Sequence, residues 1–252
     1  LILITTYAPS DAIVALTAKG LDAETGALQT ELADQHLRHL GRDIVMLCGP
    51  SFADETAAGK PCCLVAASQH EEQAQAIASL FHASTARVYT SPDPIGVAVA
   101  SSVKNVIAIA AGITSALGLG DNARAALIVR GLAETTRLAL ALGGQQQTLF
   151  GLAGVGDMML TCTDTHSRNY SYGVALGSGQ APAQALAEGA RTAASLARRA
   201  KDIGVETPII SAIHRVVNDG ADIKKEIQAL LARPVDQEWI KLDETTTTTP
   251  TT

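Results

Sequence analysis

The apolar stretch over residues 94–120 constrains the fold of this chain more than any other feature of its sequence. The only ionisable side chain within it is Lys104, and apolar residues surround that lysine at every helical phase. A helix without a broad polar face is buried in a protein core or in a membrane. A lysine there reaches water at a helix edge, pairs with an anion, or is desolvated with a lowered pKa. A desolvated lysine is the kind of amine that transfers protons near neutral pH.

A second isolated charge lies further along the chain. Asp157 is the only charged residue over residues 138–163 and follows a glycine-rich segment. A buried carboxylate needs a cation or several hydrogen-bond donors, and Lys104 is an available partner. In the simpler alternative, Asp157 only caps the helix that the next residues predict, because aspartate is a common N-cap. Two isolated opposite charges in apolar segments favour an acid/base pair at a buried site.

Residues 165–170, with the sequence Thr-His-Ser-Arg-Asn-Tyr, predict an anion site shortly after Asp157. They place a hydroxyl, a guanidinium and an amide in consecutive positions where a new helix can begin. The backbone N–H groups of a helix start, together with an arginine, suit a phosphate. The same residues are also an ordinary capped helix start. Their position close to Asp157 in the sequence favours the anion site.

The predicted organisation changes at residues 91–94. Strands and helices alternate before this segment, which is typical of a mostly parallel sheet covered by helices, and only helices are predicted after it. We expect an α/β domain over residues 1–93, an all-α substrate domain over residues 94–234 with the active site in the cleft between them, and a flexible tail over residues 235–252. The predicted strands cover residues 13–16, 43–47, 62–66 and 86–90, and the predicted helices cover residues 24–40, 71–82, 95–117, 123–142, 169–176, 188–203, 208–217 and 223–231.

Composition limits the class of protein. Of the 252 residues, 47% are hydrophobic and only 3% are aromatic, so a large core must be packed mainly from aliphatic side chains. The net charge of −6 argues against a nucleic-acid surface. The four cysteines lack metal-ligand spacing, so we expect buried reduced thiols and no metal site. With no signal peptide, and with Lys104 inside the apolar stretch, we expect a cytoplasmic protein without membrane insertion.

Several motifs follow one another in a fixed order. They occupy residues 49–55 (Gly-Pro-Ser-Phe-Ala-Asp-Glu), 103–112, 118–127, 130–134, 151–157 and 167–169. Together they resemble the bacterial NAD(P)-dependent glycerol-3-phosphate dehydrogenases over residues 8–234. The resemblance implies an oxidoreductase, in the form of a homodimer, that interconverts dihydroxyacetone phosphate and sn-glycerol 3-phosphate with NADH or NADPH and supplies glycerophospholipid synthesis.

The resemblance also implies roles for individual residues. Lys104 matches the family's catalytic lysine, which donates the proton when the ketone is reduced and accepts it in the reverse reaction. Asp157 matches the acidic residue that contacts substrate beside it, and Lys19 matches a lysine that touches both ligands. The other substrate positions are Gly49, Ser51, Ser167, Arg168 and Asn169, and the other cofactor positions are Ala53, Arg168, Leu186 and Glu188.

One feature departs from that family. A dinucleotide-binding domain opens with a strand and a G-x-G-x-x-G turn, whose glycines let the backbone approach the pyrophosphate. This chain has no such turn near its start. The expected fold is therefore α/β plus all-α, an incomplete Rossmann-like parallel sheet domain followed by a helical domain. Two alternatives stay open: a non-catalytic fragment of such an enzyme, and a related 3-hydroxyacid dehydrogenase, against which the phosphate-suited residues 167–169 weigh.

Overall fold

The computed structural model describes residues 9, 12–37, 44–182 and 187–234. The predicted tail over residues 235–252 and the predicted cofactor residue Leu186 lie outside the described residues. In the first part of the chain, strands alternate with helices as predicted. The strands are β1 (Val14–Leu16), β2 (Ile44–Cys48), β3 (Cys62–Ala67) and β4 (Ala86–Ser91), and the helices are α1 (Gln29–Leu37), α2 (Ala53–Ala57) and α3 (Glu71–Ser79).

The four strands form one sheet in the order β1-β2-β3-β4. The pairs β1–β2 and β3–β4 are parallel, whereas β2 and β3 are antiparallel, with Met46 opposite Ala67. The connection from β2 to β3 contains only the five-residue helix α2, which is too short to serve as the usual crossover helix between parallel strands. The sheet is therefore mostly parallel, as predicted, with one antiparallel pair at its centre.

After Ser91, all the secondary-structure elements that the structure describes are helices. This confirms the predicted α/β plus all-α fold class. A π-helical turn at Leu152–Gly156 directly precedes one of these helices. The predicted start of the first helix was wrong: α1 begins at Gln29 because the Asp22 side chain accepts hydrogen bonds from the N–H groups of Glu24 and Thr25 and forms a turn instead. The helices are α4 (Pro94–Ala116), α5 (Asp121–Ala141), α6 (Gln146–Leu149), α7 (Asp157–Thr163), α8 (Arg168–Gly177), α9 (Glu188–Asp202), α10 (Pro208–Asn218) and α11 (Ile223–Leu231).

Helix α4 is the core of the molecule. It is the one described helix that is long and apolar enough to cross a membrane, and 94% of its most apolar 18-residue window is buried inside the protein. The same apolar core contains Met46 and Val65 of the sheet and Val103 and Ile107 of α4. The sheet and the helices therefore share one core across the predicted domain boundary, and the apolar sequence of α4 is explained by that burial.

Two contacts fix the position of α4. At its start, Asp93 accepts a hydrogen bond from the Gly96 N–H, and its second oxygen accepts from the Gln145 N–H and the Thr148 hydroxyl, which ties α4 to α6. Near its end, α4 touches α8 backbone to backbone, since a Cβ atom at Gly112 would overlap the carbonyl oxygen of Tyr170. Because the two helices approach so closely, the first turn of α8 is held against the C-terminal half of α4.

A buried carboxylate also joins α5 to α10. Glu134 is 2% exposed and accepts hydrogen bonds from the N–H groups of Ile209 and Ile210 at 2.7 and 3.2 Å. These are the first N–H groups of α10 that need an acceptor, because Pro208, the first residue of the helix, has no N–H group. Burial raises the pKa of Glu134 to about 7, although both hydrogen bonds and the charges of two arginines oppose the rise.

We expect Glu134 to make the free energy of unfolding depend on pH. Its pKa lies above the ordinary value of 4.5, so the folded state binds this proton more tightly than the unfolded state. The stabilisation is complete below the unfolded pKa and is lost as the pH rises through about 7. In denaturant titrations, the free energy of unfolding of the wild type should fall by roughly 3 kcal/mol at most between about pH 5 and pH 8. In Glu134→Gln this fall should be absent, because glutamine does not titrate. The exposed Glu72→Gln variant is the control, and an equal slope in both variants would contradict the expectation.

Candidate active site

Lys104 and Asp157 form a buried ion pair. The Nζ atom of Lys104 lies 2.5 Å from Oδ2 of Asp157, and the two side chains are 5% and 2% exposed. Lys104 comes from the middle of α4 and Asp157 is the first residue of α7. The Asp157 side chain does not cap α7, whose N-cap is Gly156. The structure thus brings together the two charges that are isolated in the sequence.

The surroundings of Lys104 make its charged form more costly than that of a surface lysine. Burial lowers the pKa of the Lys104 ammonium, the negative charge of Asp157 raises it in part, and the charge of Lys19 lowers it further. A free surface lysine stays charged across the physiological range. The amine of Lys104 is therefore better suited to exchange a proton with a ligand oxygen.

Two neighbours of Asp157 were not among the residues predicted from the sequence. The thiol of Cys48 donates to Oδ2 at 3.6 Å, and the Thr161 hydroxyl lies 3.3 Å from Oδ1. Burial first, and the charge of Asp157 second, raise the pKa of Cys48, so the thiol keeps the proton that it donates. Thr161 had a signal in the sequence, because it lies four residues after Asp157 and so on the same helix face. Cys48 had none beyond its place directly before Gly49.

All four cysteines are free thiols. Cys48 and Cys162 are buried, as predicted, whereas Cys62 and Cys63 on β3 are only partly buried, so the prediction was wrong for that pair. Both residues lie in the first half of β3, whose first three residues are partly buried and whose last three are buried. Within the described part of the chain, no group of three or more histidine, cysteine or acidic side chains is placed to hold a metal ion.

The loop after β2 leads from Cys48 to the predicted residues Gly49, Ser51 and Ala53. Gly49 has φ of 153°, and a Cβ atom there would lie 2.7 Å from the carbonyl oxygen of Cys63. Only glycine fits this turn against β3. The Ser51 hydroxyl donates to the Gly49 carbonyl at 3.4 Å, and Ala53 is exposed as the first residue of α2. Gly49 and Ser51 are thereby held next to the Cys48–Asp157 contact.

The segment after β1 also approaches the ion pair. The Gly20 N–H donates to the Ser102 hydroxyl at 3.0 Å, which fixes this segment on α4 at the residue two positions before Lys104. Lys19 is half-buried, and its charge lowers the pKa of both Lys104 and Cys48. Strands β1 and β2 are parallel, so their carboxyl ends lie at the same edge of the sheet. That edge is where ligands bind in open α/β sheets.

The predicted residues Ser167, Arg168 and Asn169 form the start of α8. The Ser167 hydroxyl accepts a hydrogen bond from the Tyr170 N–H and caps the helix. The Arg168 side chain is 60% exposed, and its guanidinium lies 3.8 Å from the Glu188 carboxylate. The buried Asn169 accepts a hydrogen bond from the Gly189 N–H through Oδ1, which leaves its NH₂ group for a ligand.

Asn105 is a further neighbour that the sequence analysis did not single out. Gly189 packs directly against the main-chain carbonyl of Asn105, the residue that follows Lys104 on α4. The predicted residues Asn169 and Glu188 are therefore brought to the same region of α4 as Lys104. Lys104, Lys19 and Arg168 give the site three cations that differ in exposure. Such a set of donors suits an anionic ligand such as a phosphate or a dinucleotide.

Comparison with known proteins agrees with this geometry. The family model described as NAD-dependent glycerol-3-phosphate dehydrogenase C-terminus matches residues 93–228, and the corresponding N-terminus model matches residues 2–74. A curated glycerol-3-phosphate dehydrogenase (NAD(P)+) of Agrobacterium fabrum is 42% identical over 234 residues, 92% of this chain and 71% of that protein. The corresponding protein of Leptothrix cholodnii is 46% identical over 226 residues, 87% of this chain and 66% of that protein.

Solved structures give the same result. The crystal structure of glycerol-3-phosphate dehydrogenase from Coxiella burnetii has a TM-score of 0.85 and 38% identity, with 91% of this chain and 72% of that chain covered. The Saccharomyces cerevisiae enzyme shares the fold, with a TM-score of 0.75 at 21% identity. The resemblance inferred from the ordered motifs is thereby confirmed.

The ion pair generates a prediction on stability. Removing one partner of a buried pair leaves an uncompensated charge, whereas apolar replacement of both is tolerated much better. We expect Asp157→Leu to lower the free energy of unfolding by roughly 3 kcal/mol, and the double variant Lys104→Met/Asp157→Leu to regain most of that loss. Chemical denaturation of the single and double variants measures the coupling. Additive losses would show that the two charges do not stabilise each other.

Proposed function

Because this chain belongs to the NAD-dependent glycerol-3-phosphate dehydrogenase family, we propose that it interconverts dihydroxyacetone phosphate and sn-glycerol 3-phosphate with NADH or NADPH. The observation that carries the proposal is the buried Lys104–Asp157 pair beside the carboxyl ends of β1 and β2. The site combines an amine of lowered pKa, which can donate a proton, with nearby cations, which can hold a phosphate. Reduction of a phosphorylated ketone needs both.

Lys104 supplies the proton in this reaction. When the ketone is reduced, negative charge develops on its oxygen, and an ammonium group stabilises that charge and then donates a proton to it. In the reverse direction the neutral amine accepts the proton of the hydroxyl group. The lowered pKa of Lys104 makes the ammonium a stronger proton donor than that of an ordinary lysine. Asp157 contacts substrate and holds the amine, and Cys48 and Thr161 hold Asp157.

The substrate phosphate is held by the other proposed residues. Arg168 is exposed and its planar guanidinium can grip two phosphate oxygens at once. The Asn169 amide faces the same region with its NH₂ group uncommitted to Gly189. The other proposed substrate contacts are Lys19, Gly49, Ser51 and Ser167. Since the phosphate is remote from the reacting carbon, its binding energy orients the ketone against Lys104.

The nicotinamide cofactor supplies or accepts the hydride when it is bound. Lys19, Ala53, Arg168 and Glu188 are the described residues proposed to hold it, with Leu186 outside the described part of the chain. The fit rests on the donor set, because two cations and the carboxyl ends of two parallel strands suit a dinucleotide. The sequence has no G-x-G-x-x-G turn near its start, so the pyrophosphate contacts are not assigned to its residues.

The setting of the reaction is part of the proposal. Glycerol 3-phosphate is the backbone of glycerophospholipids, so a cytoplasmic enzyme of this kind supplies their synthesis. A homodimer is proposed from the family. Exposed apolar side chains such as Leu119 and Val129, which are 46% and 57% exposed, offer surface for a second copy. A non-catalytic fragment is the alternative, and the completeness of the Lys104–Asp157 arrangement weighs against it.

We expect Lys104→Met to lower kcat for ketone reduction by about 10²–10⁴-fold, the usual contribution of a positioned proton donor. The matched control is Lys201→Met, an exposed lysine of α9. Oxidation of NADPH in the presence of dihydroxyacetone phosphate, followed by absorbance, measures both variants. A Lys104→Met variant as active as the control would overturn the proposed role.

Arg168→Lys should raise KM for dihydroxyacetone phosphate about tenfold, because lysine keeps the charge but loses the bidentate contact. Arg87→Lys, an exposed arginine on β4, is the control. The two variants are compared by initial rates at saturating cofactor. Equal KM values at the two positions would place Arg168 outside the substrate site.

A further inference from the structure

Phe52 and His166 join the two loops that flank the ion pair. Their ring centroids lie 5.6 Å apart with the ring planes inclined by 30°, the one ring–ring contact recorded among the described residues. Phe52 follows the loop of Gly49 and Ser51, and His166 directly precedes Ser167 at the start of α8. The stack therefore links two segments that are distant in sequence and that both carry proposed substrate residues.

Asp164 fixes the imidazole in this position. Its Oδ1 atom lies 2.6 Å from Nδ1 of His166 and also accepts the His166 backbone N–H at 2.8 Å. The loop is closed by two further bonds, from the Ser167 N–H to the Asp164 carbonyl and from the Ser171 hydroxyl to the Thr165 carbonyl. Because the Asp164 contact sets the direction of the ring, His166 meets Phe52 face to face.

The charges around His166 favour its protonated form. The hydrogen bond that the imidazole donates to Asp164 is the largest cause that raises the pKa of His166, and the acidic side chains of Asp54 and Glu55 on α2 raise it further. Glu55 is itself paired with Lys60. A protonated imidazole is attracted to the face of an aromatic ring, so the proton strengthens the stack and adds a positive charge next to Ser167.

We propose that the Phe52–His166 stack is a positioning contact that holds the Gly49–Ser51 loop against the start of α8, and that it tightens binding of the phosphorylated substrate when His166 is protonated. This inference rests on the proposed function. His166 acts through the two loops and not on the reacting carbon, so it changes KM and leaves the proton transfer by Lys104 intact. The affinity for substrate is then lost gradually as the pH rises through the pKa of His166.

The pH dependence of KM for dihydroxyacetone phosphate tests the proposal. Between about pH 6 and pH 9, the KM of His166→Gln should exceed that of the wild type about fivefold at the acidic end and converge with it at the alkaline end, with kcat little changed. Titration of the substrate phosphate is common to all variants and cancels in the ratio. His82→Gln, which replaces an exposed histidine beyond α3, is the control and should follow the wild type.

Phe52→Leu separates the stack from the charge. It keeps apolar bulk but removes the ring, so it should raise KM in the same direction and weaken its pH dependence. Proton NMR of the imidazole gives a readout that needs no turnover. The ring-current shift of His166 should vanish in Phe52→Leu, and its pKa should fall in Asp164→Asn.

The outcomes are distinguishable. If the wild-type chain reduces dihydroxyacetone phosphate with neither NADH nor NADPH, the proposed function is overturned, and this inference with it. If the wild type is active but the ratio of the KM of His166→Gln to that of the wild type is the same at every pH, only the role of the stack is overturned. An unchanged His166 ring-current shift in Phe52→Leu would show that the two rings are not in contact in solution.

Discussion

The buried contact between Lys104 and Asp157 is the interaction on which the rest of this structure depends. Taking an ammonium and a carboxylate out of water is expensive, and their attraction compensates only when geometry and further hydrogen bonds are good. The fold meets that condition in part on the carboxylate side, where the Cys48 thiol donates to Oδ2. The Thr161 hydroxyl donates to the Asp157 carbonyl at 2.6 Å and lies 3.3 Å from Oδ1. Among the described residues, Asp157 is the one ion-pair partner of the ammonium, and a ligand oxygen can be a further acceptor. Burial lowers the pKa of this amine below that of an ordinary lysine.

The need to bury this pair explains the arrangement around α4. The helix is apolar because sheet residues and the following helices cover it, and those neighbours bring the site residues with them. Gly20 is hydrogen-bonded to α4, α8 touches it backbone to backbone, and Gly189 packs on the Asn105 carbonyl. Segments that are far apart in sequence thus reach Lys104 through contacts with one helix. Because the sheet and the helices share one core, the positions of these segments relative to one another are fixed.

The sequence predicted the parts of this arrangement that depend on local pattern. Lys104 and Asp157 stood out because each is the only charge in an apolar segment, and the long helices followed from their periodicity. The antiparallel pairing of β2 with β3 was missed because the apolar runs are the same for either direction of pairing, and the absence of a predicted helix between the two strands was its one signal in the sequence. The contact of Cys48 with Asp157 joins residues 109 positions apart, and no spacing rule reports such a pair. The substrate and cofactor roles proposed for Arg168, Asn169 and Glu188 came from family resemblance, since their residue types fit an ordinary helix start equally well.

The graded exposure of the cations fits the proposal that a chain of net charge −6 holds anionic ligands. Arg168 is exposed, so it is accessible to a phosphate at the surface. Lys19 is half-buried and Lys104 almost wholly buried, and the field of the first adds to the desolvation of the second. The cation that is proposed only to bind therefore lies in water, whereas the cation that is proposed to release a proton lies where its charge is costly. On this proposal, burial divides attraction from proton transfer, and the overall acidity of the chain does not oppose it because fields from distant charges are screened by solvent.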